Sequence, residues 1–140
     1  MRQPSVRNLG LIFIGGLLGT VLRYELSRLD SRPSVIPVGI LIANLAGTFI
    51  LGGVISYLTE YEPSNAVRIR AAWGTGFCGG LTTFSTLCAG IVDLSRNASV
   101  TLTAIYAITS LVLGVLAFQI GVLSVQILQR LEWSRGAREV

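Results

Sequence analysis

The residues most able to do chemistry lie together in the segment 74–87, which reads GTGFCGGLTTFSTL. Its first seven residues include four glycines, and residues 82–86 include four hydroxyl side chains. Glycine costs about 1 kcal/mol relative to alanine at each interior helical position, so this pattern predicts a break in an otherwise apolar helix. Backbone carbonyls freed by such a break must be buried in protein, line a cavity or bind an ion. The alternative is an unbroken, glycine-rich helix that packs closely against a neighbour.

Polar side chains also interrupt two other apolar segments. Asn44 stands among aliphatic residues, where an amide without partners costs several kcal/mol, so it must face protein, water or a solute. A hydrogen bond to a neighbouring helix would satisfy it equally well. Thr103, Tyr106, Ser110 and Gly114 follow at spacings of three, four and four, which places them on one helical face. This stripe predicts a polar track, unless the hydroxyls bond back to their own helix.

Metal-based and hydrolytic chemistry is not supported by the remaining residues. The chain has no histidine, and Cys78 and Cys88 form no CxxC pair, which argues against zinc and haem sites. Both thiols are expected to act as small apolar packing groups. No span contains paired carboxylates, so we expect the protein not to be an enzyme.

The segments that hold these residues are membrane-like in composition. Only 13% of the 140 residues are charged, about half the share typical of soluble domains, and the mean hydropathy is +0.68. A helix needs about 20 mainly apolar residues to cross the hydrocarbon of a bilayer. Four stretches contain no charged residue: 8–22, 33–59, 71–92 and 97–129.

The sequence therefore predicts an all-α membrane protein, a single domain over residues 1–140 with four transmembrane helices. The predicted spans are 8–29, 35–59, 69–92 and 99–128, with the third broken near the middle of the membrane. The first span includes Arg23, which either faces protein or extends to the interface.

Charge predicts how the chain sits in a cell membrane. The net charge is +4 and every basic residue is arginine, placed at span ends where interface anchoring, not nucleic-acid binding, explains it. Seven arginines fall on the side that holds both termini, against three, or four with Arg23, on the other side. This bias predicts cytoplasmic termini. The seven are Arg2, Arg7, Arg68, Arg70, Arg130, Arg135 and Arg138, and the three are Arg28, Arg32 and Arg96.

Four motifs together resemble the Fluc family of fluoride channels. They are GxxGxxxR at 16–23, Asn44 within GILIANLAG, GFCGGLTTFST at 76–86, and the pair Tyr106 and Ser110. The resemblance covers nearly the whole chain in order. It implies a dimer of oppositely inserted subunits, with two fluoride pathways along the subunit interfaces.

The resemblance also implies a role for each motif position. A structural sodium ion, which is not transported, would be held by the backbone carbonyls of Gly79 and Thr82, and oxygen ligands suit this hard cation. Gly80 and Arg23 would be structural. The fluoride pathway maps onto Asn44, Thr83, Phe84, Leu87, Tyr106 and Ser110.

These pathway residues offer what a strongly hydrated anion needs. Asn44, Thr83 and Ser110 can donate hydrogen bonds, and the edge of Phe84 is electropositive. A full positive charge is not required, because conduction depends on weak binding at several sites.

Three positions depart from the family pattern. Leu87 stands where a second phenylalanine is expected, and Ile40 and Gly114 stand where hydroxyl residues are expected. Two copies of the chain would repeat these losses in both pathways, which favours a heterodimer with an oppositely oriented paralogue over a homodimer.

Two other functions remain open. One is a partner subunit with no conducting pathway of its own. The other is a small multidrug-type transporter, but that class needs a carboxylate inside a span, and Glu25 and Asp93 lie at span ends.

Overall fold

A computed structural model of the chain describes residues 6–31 and 36–136, and over these residues it is helical with no strand. Four segments are long and apolar enough to cross a membrane: Val6–Asp30, Val38–Tyr61, Ala66–Asn97 and Val100–Ser134. The predicted all-α fold with four spans is therefore confirmed. The helices are α1 (Val6–Ser27), α2 (Val38–Tyr61), α3 (Ala66–Ile69), a π-helix (Arg70–Cys78), α4 (Gly79–Leu81), α5 (Phe84–Asn97) and α6 (Val100–Gly136), with a 3-10 turn at Arg28–Ser31.

The helices extend past several predicted boundaries. The third span begins three residues before the predicted 69 and ends five residues after the predicted 92. At 37 residues, α6 is about 55 Å long, well beyond the ~30 Å of a bilayer's hydrocarbon core. Charged residues mark the edge of the membrane without ending a helix, so the helices continue beyond the predicted spans. The predicted start of the second span, residue 35, lies outside the described residues, as do Arg2, Arg32 and Arg138.

Glycines bring α1 into backbone contact with the first half of the third span. A Cβ atom at Gly15 would collide with the carbonyl oxygen of Ala72, and one at Gly19 with that of Phe77. The contact positions increase together, so the two segments run in the same direction. We call this contact the glycine seam; its members are Gly15, Gly16, Gly19, Gly76 and Gly80. Small residues allow such close approach where lipid offers no hydrophobic drive for helices to associate.

A second close contact joins α2 to α6. Gly52 packs against the backbone of Phe118, and Gly121 packs against the backbone of Phe49, so these helices are antiparallel. Nearby, Ser56 Oγ donates a hydrogen bond of 3.2 Å to the carbonyl oxygen of Val122. This contact fixes the position of α6 beside α2, on which the site described below depends.

The third span is interrupted at its centre. Thr82 (φ −84°, ψ 152°) and Thr83 (φ −151°, ψ 121°) are extended, between the end of α4 at Leu81 and the start of α5 at Phe84. The interruption falls on the threonines and not within the glycine run, which remains helical and partly π-helical. Close packing of glycines and a break in the helix, treated as alternatives in the sequence, therefore occur side by side.

Candidate functional site

A cavity of about 450 Å³ lies where the interruption meets α2 and α6. Its wall combines amide, hydroxyl, aromatic and aliphatic groups and includes no charged side chain. Phe84, the first residue of α5, is 72% exposed beside it. The lining residues are Asn44, Thr48, Thr82, Thr83, Phe84, Leu87, Ser110, Leu111, Gly114, Val115 and Phe118. The structure thus brings together five of the six predicted pathway residues.

Asn44 holds the interrupted backbone through two hydrogen bonds to one residue. Its Oδ1 accepts from the Thr83 N–H at 2.7 Å, and its Nδ2 donates to the Thr83 carbonyl oxygen at 3.1 Å. The interhelical hydrogen bond left open by the sequence is therefore present. An amide nitrogen carries two hydrogens, so one donor of Asn44 remains for a solute in the cavity.

Two backbone carbonyls in this region, those of Gly79 and Thr82, are the ones that the family resemblance predicts to bind sodium, and both lack their usual helical hydrogen bond. In a continuous α-helix the Gly79 carbonyl would accept from the Thr83 N–H, which here donates to Asn44. The Thr82 carbonyl would accept from the Thr86 N–H, which donates to Thr83 Oγ1 at 3.2 Å. Both carbonyls lose their helical partner to a side chain. Freed carbonyl oxygens are suitable ligands for a hard monovalent cation.

Most hydroxyls on the cavity wall already donate to their own helices. Ser110 Oγ donates to the Tyr106 carbonyl at 2.7 Å, and Thr48 Oγ1 donates to that of Asn44 at 2.9 Å. Thr82 Oγ1 donates to the Cys78 carbonyl at 3.0 Å. These hydroxyls present mainly lone pairs to the cavity, so donors for an anion are scarce there.

A cluster of three hydroxyls surrounds the start of α5. Thr83 Oγ1 lies 3.2 Å from Ser85 Oγ and 3.0 Å from Thr86 Oγ1. Ser85 and Thr86 are exposed, as are Thr75 and Gly79 earlier in the same span. Polar groups cannot face hydrocarbon without cost, so the exposed hydroxyls of the third span need a protein or water contact.

Tyr106 is buried in the packing between α5 and α6 and is not placed on the cavity wall. Its hydroxyl donates to the Pro37 carbonyl at 3.1 Å, and its ring, 5% exposed, packs with Leu87 and Leu94. It does not line the cavity, although Ser110 does. The sequence stripe placed both residues on one face, but the packing of α5 covers the tyrosine.

The two predicted structural residues differ in how they are held. Gly80 belongs to the glycine seam, where a Cβ would collide with the Gly16 carbonyl. Arg23, four residues after Gly19 on α1, is half-buried and has no hydrogen bond or ion pair in the described part of the chain. The glycine seam therefore explains a structural role for Gly80 but not for Arg23.

Two of the three departures from the family pattern lie on the cavity wall, and the third does not. Ile40 is buried away from the cavity, whereas Gly114 lies on its wall with nothing within 4 Å of an added Cβ. Leu87 is 5% exposed and contributes to both the wall and the buried cluster with Leu94.

Sequence reasoning missed three residues. Thr48 and Phe118 line the cavity. Thr48 follows Asn44 by four residues and Phe118 follows Ser110 by eight, spacings that place each on the same helical face as its predicted neighbour. Asp30 caps α2 from a distance, because its Oδ1 accepts from the Gly39 N–H at 2.6 Å. No local pattern shows that cap, since nine residues separate the partners.

An interrupted membrane helix beside a partly polar cavity is typical of membrane proteins that carry ions or polar solutes. Residues 10–122 match the family model described as CrcB-like protein, Camphor Resistance (CrcB). The chain is 42% identical over 111 residues to the fluoride-specific ion channel FluC 2 of Staphylococcus haemolyticus, covering 79% of this chain and 90% of that protein. It is 41% identical, with the same coverage, to fluoride-specific ion channel FluC 1 of Staphylococcus aureus.

The chain belongs to this family, also known as Fluc. It is a multi-pass membrane protein from a family of ion channels, and not an enzyme. Membership separates it from the small multidrug transporters, which were the remaining transporter alternative.

Proposed function

We propose that the chain is a subunit of a fluoride-selective channel through which cytoplasmic fluoride leaves the cell passively, relieving its toxicity. The names of its relatives support the ion, and the cavity at the interrupted helix supports the pathway. The observation that carries the proposal is the meeting of Asn44, Thr83, Phe84 and Ser110 at one uncharged wall.

The wall fits weak, multi-site binding of a small hydrated anion. The second Nδ2 hydrogen of Asn44 and the spare hydrogen of the hydroxyl cluster at Thr83 can replace water ligands. The edge of Phe84 adds partial positive charge. No lining side chain bears a full charge, which would hold the ion too tightly to pass it on.

Efflux from reconstituted liposomes tests this function. Liposomes that carry the protein are loaded with potassium fluoride or potassium chloride and diluted into a solution without that anion. An ionophore then makes the membrane permeable to potassium, and the released anion is followed with its selective electrode. We expect rapid fluoride efflux and no chloride efflux above that of protein-free vesicles. Equal efflux of the two anions contradicts the proposal.

The proposal includes an antiparallel dimer. The exposed polar face around Ser85 and Thr86 needs a cover, and the cavity beside Phe84 is bounded by one chain on only part of its surface. An oppositely inserted second subunit would cover both. Cross-linking in native membranes at Cys88, an exposed residue of the same helix, with Cys78 replaced by serine, is the measurement that tests this contact.

We further propose the structural sodium ion at the carbonyls of Gly79 and Thr82, supported by their loss of helical partners. When bound, the ion would link backbone oxygens at the centre of the dimer. The Thr82→Ala variant removes the hydroxyl but keeps the carbonyl, so sodium dependence of dimer stability should survive it. Loss of that dependence in Thr82→Ala, with the fold retained, would assign binding to the side chain instead.

A heterodimer is the favoured assembly, and a subunit whose own pathway conducts poorly is the second candidate function. Gly114 supplies no donor and Leu87 no aromatic edge at the cavity wall, and the arginine bias favours one orientation with cytoplasmic termini. A homodimer of opposed copies needs a chain that inserts both ways.

To test the need for a partner, the chain is expressed alone in a fluoride-sensitive host, and growth and the accessibility of the termini are measured. Robust rescue with termini on both sides contradicts the need for a partner.

A further inference from the structure

The cavity wall includes a second phenylalanine besides Phe84. Phe118 enters from α6, whereas Phe84 enters from α5. We propose that Phe118 is a specificity-determining residue of this chain, whose ring edge supplies the fluoride path with electropositive contact that Leu87 and Gly114 cannot give. This inference rests on the proposed fluoride function.

The position of Phe118 on α6 is set by periodicity and by packing. It follows Ser110 by eight residues and Gly114 by four, so the three share one face, and all three line the cavity. Its backbone lies directly against Gly52 of α2, where a Cβ would collide with the Phe118 carbonyl. The starting point of the side chain is therefore held firmly, while the ring remains partly accessible.

The composition of the wall near Phe118 explains why a ring edge would matter. Gly114, one turn away, has no side chain, and the hydroxyl hydrogen of Ser110 is directed to the Tyr106 carbonyl. Leu111 and Val115 are aliphatic. An anion that passes Asn44 along this wall meets few hydrogen-bond donors. The hydrogens at the edge of an aromatic ring carry partial positive charge and can compensate in part.

Space at Gly114 strengthens this assignment. Nothing lies within 4 Å of a Cβ built there, so the wall between Ser110 and Phe118 is open to the cavity and not filled by a neighbour. A ring at position 118 can therefore be approached by a small solute, which a ring buried in the core cannot.

The first experiment compares two phenylalanine substitutions. Phe118→Leu removes the ring edge, and Phe13→Leu is the matched control, because Phe13 is 72% exposed on α1 and does not line the cavity. Both variants are measured in the subunit composition that conducts fluoride for the unsubstituted chain. We expect Phe118→Leu to slow fluoride efflux about tenfold and Phe13→Leu to leave it unchanged.

The second experiment separates charge from shape. Phenylalanine analogues in which one, two or three edge hydrogens are replaced by fluorine are incorporated at position 118, which puts negative C–F ends where positive C–H ends stood and changes ring volume little. Fluoride efflux should fall stepwise along the series. In the Phe118→Leu background, Leu87→Phe should recover part of the rate by returning an aromatic edge to the same wall.

Each result has a definite consequence. An unsubstituted protein that passes no fluoride in any subunit composition overturns the channel function and this inference with it. A conducting protein in which Phe118→Leu matches the unsubstituted rate overturns this inference alone. A slow Phe118→Leu variant with a flat fluorination series also overturns it, because the ring would then act through its volume. A stepwise decline supports it even if Phe118→Leu fails to fold.

Discussion

The two halves of the third span are held by opposite means. Before the interruption, the π-helix and α4 contact α1 through the glycine seam, backbone against backbone. After it, α5 contacts the remaining chain through Leu87 and Leu94, and its start is fixed by the two hydrogen bonds between Asn44 and Thr83. The first half is determined by shape, and the second by a few specific side-chain contacts.

The first half of the third span provides rigidity, and the second half provides the groups on which selectivity would depend. In lipid the hydrophobic effect does not drive helices together. Helix association therefore depends on close packing of small residues and on hydrogen bonds between helices. The seam uses the first device and excludes any solute. The two hydrogen bonds between Asn44 and Thr83, which we call the clamp, use the second, and they leave unpaired carbonyls and a cavity beside them. The cavity wall can therefore accept an added side chain at Gly114, which no glycine of the seam at Gly15, Gly19 or Gly80 can accept.

The largest expected effect comes from adding one methyl group to the seam. Gly80→Ala should destabilise the folded protein by about 3 kcal/mol, because the new Cβ collides with the rigid carbonyl of Gly16. Gly10→Ala, also within a helix, is the control, since nothing lies within 4 Å of its Cβ. Unfolding in mixed detergent, followed by circular dichroism, measures both. Equal stability of the two variants would show that the seam is not tightly packed.

Removing the clamp should have the next largest effect. Asn44→Ala leaves the N–H and carbonyl of Thr83, a residue 8% exposed, without partners, at a cost of about 2 kcal/mol. Fluoride efflux should be lost. If Asn44→Ala is as stable as the unsubstituted chain, other contacts hold the interruption in place.

The smallest expected effect tests the tolerance of the cavity side. Gly114→Ser adds a hydroxyl where there is room for it, so stability should change by no more than about 0.5 kcal/mol. Fluoride efflux should rise about twofold, the increase that ~0.5 kcal/mol of added hydrogen bonding gives. Gly114→Ala, which adds bulk without a donor, is the control. A similar increase in both variants would assign the gain to helix propensity.

The sequence was most informative where composition alone is decisive. Long charge-free stretches determine four spans, because hydrocarbon excludes charged groups and requires backbone hydrogen bonds to close within a helix. The glycine-rich segment indicated both close packing and a break. Its order within the chain, together with Asn44, was enough to indicate the family that the comparisons then established.

Other features depend on which residues meet, and no local pattern contains that information. The break falls at Thr82 and Thr83, not at the glycines, because Asn44, about forty residues earlier, captures the Thr83 N–H that would continue the helix. Tyr106 is buried because α5 packs over it. Phe118 lines the cavity because its backbone contact with Gly52 sets the position of α6 along α2. Hydropathy determines that a helix spans the membrane, but rotation and depth follow from contacts between helices, which only the tertiary structure sets.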